Sequence, residues 1–63
     1  MCLATVYIEK DGERNQVMED VAWIKPEDSA IQLVTLLGEN REFQCRIKSV
    51  DLIHGSIILE ENR

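Results

Sequence analysis

The sequence predicts an all-β fold, a small curled antiparallel barrel of five or six strands. Short runs rich in β-branched and aromatic residues recur along the chain and are separated by turn residues. No segment sustains a 3.6-residue apolar period, so no helix competes with that pattern. Sixty-three residues supply only one core, and a sheet that curls leaves less sticky edge exposed than a flat one. Residues 1–63 are therefore read as a single small β-barrel domain.

The elements follow in order. Residues 3–9 contain Val, Ile, Thr and Tyr and read as a first strand. Lys10-Asp11-Gly12-Glu13 places Asp-Gly between two such runs, a strong hairpin signal because glycine accepts positive φ. Residues 14–18 form the return strand. Residues 20–25, with Val21-Ala22-Trp23-Ile24, form a third, ended by Pro26, which cannot donate to a ladder. Residues 31–36 alternate, with Ile31, Leu33 and Thr35 on one face and Gln32 and Val34 on the other. The short apolar run 33–37 also fits a helical turn. Leu37-Gly38-Glu39-Asn40 is the next turn. Residues 41–50 show the cleanest period of two, with Phe43, Cys45 and Ile47 against Glu42, Gln44, Arg46 and Lys48. A last strand, 56–60, follows His54-Gly55. This succession is that of a small barrel of the Sm or SH3 type.

Composition narrows the function. Twelve acidic residues stand against seven basic ones, a formal net charge of -5. Such a surface repels phosphate backbones and gains nothing from counterion release, which weighs against nucleic acid as a partner. No stretch approaches the roughly 20 apolar residues that cross a bilayer. The first residues show neither the basic segment nor the apolar segment of a secretory signal, so the expectation is a cytoplasmic protein with no membrane role.

The chain has two cysteines, Cys2 and Cys45, and no Cys-x-x-Cys pair. In a reducing compartment these thiols serve packing or metal, not a structural disulfide. Cys45 sits on the alternating face with Phe43 and Ile47, where a free cysteine acts as a small hydrophobe. Cys2 is placed differently. If Met1 is removed, the terminal amine and the thiolate of Cys2 form a five-membered chelate. If Met1 is retained, the deprotonated amide nitrogen of Cys2 closes the same ring. Thiolate sulfur with strong-field nitrogen suits square-planar Ni(II) or Cu(II). One chelate supplies two ligands, and a two-fold homodimer brings two copies together to supply four. Against this stands the plain reading of Cys2 as an incidental terminal residue.

The opening Met1-Cys2-Leu3-Ala4-Thr5-Val6-Tyr7 resembles the start of the CooT-like small nickel-binding proteins. Further matches are Val17-Met18-Glu19-Asp20-Val21-Ala22-Trp23-Ile24, Leu36-Leu37-Gly38-Glu39, Ile47-Lys48-Ser49-Val50-Asp51-Leu52 and Ile57-Ile58-Leu59-Glu60, so the resemblance spans essentially all 63 residues. It implies a homodimer of Sm-like barrels with Ni(II) bound at the N-terminal cysteine, acting as a metallochaperone or nickel carrier. The implied client is a nickel enzyme such as carbon monoxide dehydrogenase, at the stage of its maturation. Only Cys2 matches the family's metal-binding position, and only Cys2 is carried over.

The remaining residues leave little for chemistry. His54, the one histidine, falls in a turn, where imidazole is more often solvated than liganded. Trp23 is expected in the core or at a subunit contact. Glu19 and Asp20 form a solvated turn, and their oxygens suit harder cations than nickel. There is no Ser-His-Asp signature, no glycine-rich phosphate loop and no nucleophile elbow, so the chain is not expected to be an enzyme. The alternatives are an Sm-like RNA-binding module or a ligand-free interaction module. Ile53-His54-Gly55-Ser56-Ile57-Ile58 resembles the second Sm motif, with histidine where a basic residue would hold RNA. The chain offers only Tyr7, Trp23 and Phe43 for base stacking.

Overall fold

The computed structural model describes residues 3–62. Six strands form one sheet: β1 (Ala4–Lys10), β2 (Glu13–Pro26), β3 (Ile31–Thr35), β4 (Asn40–Phe43), β5 (Cys45–Asp51) and β6 (Ser56–Glu61). Their order across the sheet is β4-β3-β2-β1-β6-β5. Strands β4 and β5 are thus the two edges, yet only Gln44 separates them in sequence. The sheet must curl for one residue to bridge its opposite edges, and that curl makes it a half-barrel.

The hairpin expected at Asp11-Gly12 joins β1 to β2. Both residues have positive φ, 53° and 81°, and Lys10 pairs with Glu13, so a two-residue turn matches the twist of the strands. Residues 14–18 and 20–25, read as two strands, are one continuous β2. What looked like a turn at Glu19-Asp20 is a bulge within it. Asp20 takes φ 58°, and the register with β1 shifts between Ala4 and Val6 and again between Val6 and Tyr7. A bulge bends a long strand without ending it. The strand can therefore pair with β1 through one half and with β3 through the other.

In β3 the expected alternation holds: Ile31, Leu33 and Thr35 are buried, while Gln32 and Val34 are only half-buried. The helical option for 33–37 is not taken. Thr35 ends the strand in a tight turn, with its amide donating to Glu39 O and its Oγ1 accepting the Glu39 amide at 2.9 Å. The expected single strand 41–50 is instead split at Gln44 into β4 and β5. Alternation alone does not reveal such a crossing, because both halves keep the same period. Ile47, expected inside with Cys45, is 39% exposed, just before a register shift against β6.

One pairing departs from the antiparallel pattern. Strands β1 and β6 run parallel, from Thr5 beside Ser56 to Glu9 beside Glu60. Chain topology forces this, since β1 opens the sheet and β6 returns from an edge to lie against it. The core lies on the concave face: Val6, Met18, Val21, Ile31, Leu33, Cys45, Ile57 and Leu59. Of the two places expected for Trp23, the core or a subunit contact, the core is not taken: it is 53% exposed and pairs with Val34. A second register shift, against β3 between Val21 and Trp23, gives the inward positions of β2 to Val21 and Ile24 instead.

Candidate metal centre

Cys2, the residue on which the sequence reading of the site depends, lies outside the described residues. The structure does define the surroundings its neighbour Leu3 enters. Strand β1 starts at the rim where β3 ends and β6 begins, since Ala4 pairs with Val21, Val21 with Thr35 and Thr5 with Ser56. Two turns flank that rim. The β3–β4 turn carries Leu36 and Leu37, and Leu37 is 97% exposed. The β5–β6 turn carries Leu52 and Ile53, 82% and 90% exposed. Leu3 shares an open depression with Leu36 and Leu37, bordered by Glu19, Asp20 and Glu39. Exposed aliphatic side chains on two turns beside one chain end make an apolar rim that water solvates poorly.

The β5–β6 turn is tightly organised. Asp51 Oδ1 accepts the amides of Ile53 and His54 at 3.0 and 3.1 Å, and Asp51 Oδ2 lies 2.8 Å from His54 Nδ1. The His54 bond, followed by those amides, holds the Asp51 carboxyl below its usual value of 3.8. Gly55 closes the turn with φ 66°, and its carbonyl accepts the Thr5 amide at 2.8 Å. A Cβ at this position would meet Leu3 O at 3.2 Å, so only glycine fits without displacing the start of β1. His54 is in a turn and exposed, as the sequence indicated. Its partnership with Asp51 was not anticipated, although Asp-x-x-His across a turn is the spacing that carries it.

Cys45 is buried at 5% exposure among core side chains and does not face the rim. Burial, followed by the charge of Glu61, pushes its thiol above the ordinary value of 9.0, so it packs as a neutral group. Among the described residues, no three His, Cys, Asp or Glu side chains gather to hold a metal ion. Most of the basic side chains are engaged by carboxylates. Glu9 takes both Arg14 and Lys48, Glu60 takes Arg46 and Glu61 takes Lys10. These pairings offset four of the basic side chains among the described residues.

A family model described as CO dehydrogenase accessory protein CooT matches residues 1–60. The chain belongs to the CooT family. Among solved structures, one reported under the CooT name from Carboxydothermus hydrogenoformans is similar with a TM-score of 0.90 at 22% identity, covering 98% of this chain and all of that one. At that identity the likeness shows the shared fold. No curated protein matches the chain. Membership places the chain among accessory proteins of CO dehydrogenase and fits a part in that enzyme's maturation. Among the described residues no helix is long and apolar enough to cross a membrane.

Proposed function

We propose that this chain is a Ni(II) carrier that binds metal through Cys2 at a two-fold dimer interface and serves the maturation of carbon monoxide dehydrogenase. The observation that carries the proposal is the position of β1. Its first residues emerge on a rim flanked by Leu36 and Leu37 on one side and Leu52 and Ile53 on the other. Joining two copies through that rim would bury these side chains and bring two Cys2 residues to one axis. Two thiolates and two chain nitrogens would then surround one ion, a donor set suited to a square-planar metal. No described cluster offers the metal a competing site within one chain.

Electrostatics supports the same assembly. Each chain carries a net charge of -5, so two metal-free copies repel. A divalent cation at the axis offsets part of that repulsion and ties the copies together by linkage. Native mass spectrometry of reduced, tag-free protein tests this. The expected species is a dimer holding one nickel, depleted in Leu37→Glu as well as in Cys2→Ser. Monomers that each hold one nickel would rule out the shared site.

A further inference from the structure

The convex face of the sheet carries a feature that the metal reading does not use. Val6, Ile57 and Leu59 belong to the core, so by alternation Tyr7, Ser56 and Ile58 point the other way. Ile58 is nonetheless only 5% exposed, although it lies outside the core cluster. It pairs with Tyr7 across the parallel β1–β6 ladder. Tyr7, Arg14, His54 and Ser56 stand round it and border an open depression of about 320 Å³. That is the lower end of the range for small-molecule sites.

Each of the four bordering side chains brings a hydrogen-bonding group. Arg14 donates Nε to Glu9 Oε2 at 3.0 Å, which leaves its two terminal amino groups for a ligand. Tyr7 and Ser56 add hydroxyls, which donate or accept. Asp51 Oδ2 lies 2.8 Å from His54 Nδ1. A carboxylate can only accept, so the neutral ring carries its proton on Nδ1 and presents Nε2 as an acceptor. Local charge favours an anion. Arg14 and Lys48 share the single carboxylate of Glu9, so one positive charge is left over. The Asp51 carboxylate is engaged within its own turn, by the His54 ring and by the amides of Ile53 and His54.

We propose that this depression binds the oxyanion head of a small molecule, a carboxylate or a phosphate, with the Arg14 guanidinium as its main partner. The planar guanidinium matches both heads in shape and charge. A hydroxyl beside the head donates to His54 Nε2, and carbon atoms rest against Ile58 and the Tyr7 ring. Neither nickel nor a second copy of the chain takes part.

Amide 1H–15N spectra of the full-length reduced protein, titrated with malate and separately with inorganic phosphate at constant ionic strength, test this. The expected result is saturable shifts at the amides of Tyr7, Arg14, His54 and Ser56. Arg14→Gln should weaken binding about tenfold and Tyr7→Phe about threefold, with the spectra of the free variants confirming the fold. Arg46→Gln removes a cation that pairs with Glu60 away from the depression, and it should bind as the parent does. The tighter of the two probes identifies the head as carboxylate or phosphate. No saturable shift with either probe, or equal binding by Arg14→Gln, overturns the site. Shifts spread over the whole surface and altered equally by Arg46→Gln overturn it too, as ion screening only.

Discussion

Leu33, Leu59 and Val6 are the largest side chains fully withdrawn from water, and in a chain this small each holds much of the fold. Truncating a buried leucine costs about 2–5 kcal/mol through lost burial and the cavity left behind. Leu33→Ala should therefore take most of the stability, read as a lowered urea midpoint. At Gly55 the demand is on the backbone. Gly55→Ala places a Cβ at positive φ against Leu3 O, and it should cost about 1–2 kcal/mol and loosen the start of β1. Two of the shifted ionisable groups make opposite contributions to the pH response. Lys48, then Arg14, hold the Glu9 carboxyl below its ordinary 4.5. Its contribution is present above that value and is lost as pH falls through the lower folded value. Urea midpoints should thus drop below about pH 4.5, and less steeply in Glu9→Gln. Cys45 runs the other way, its thiol raised by burial above 9.0. Its contribution is complete below 9.0 and fades as pH rises through the raised value. Alkylation at pH 8 should accordingly spare Cys45 until the chain is unfolded.

At the scale of elements, local chemistry was readable and long-range pairing was not. The Asp11-Gly12 hairpin, the alternation of Ile31, Leu33 and Thr35, and the strand after Gly55 all follow from turn residues and period. The bulge at Asp20 escaped because exposed acidic residues look alike in a turn and in a bulged strand. The break at Gln44 escaped because period two continues through it, and the parallel β1–β6 pairing cannot be seen without tertiary contacts. Trp23 stays out of the core for a related reason: a second register shift, against β3 between Val21 and Trp23, takes that position out of the buried alternation. The bulge makes a prediction of its own. An Asp20→Val variant forces a β-branched side chain into φ 58° and should destabilise the fold by about 1–3 kcal/mol, whereas Asp20→Gly should be tolerated. Urea unfolding of the pair distinguishes a backbone requirement from a charge requirement.

Across the whole molecule, the curl brings sequence-distant turns to one rim, and the candidate site is a product of that topology. Cys2, the proposed donor, was singled out by its position and by the resemblance to the CooT family; the family model establishes that membership over residues 1–60, while Cys2 lies outside the described residues. The apolar rim and the Asp51–His54 pair were not legible, because the β3–β4 and β5–β6 turns lie far apart in sequence and are set about the start of β1 only once β1 is paired between β2 and β6. With -5 charges on each copy, metal-free self-association should strengthen as salt screens the repulsion, measurable by sedimentation at rising ionic strength. The most direct test of the central claim is an absorption-monitored nickel titration of reduced protein with Cys2→Ser and Cys45→Ser in parallel. The account predicts thiolate–nickel bands that saturate at one metal per two chains, persist in Cys45→Ser and vanish in Cys2→Ser. Bands that survive in Cys2→Ser, or no binding by the parent protein, would contradict it.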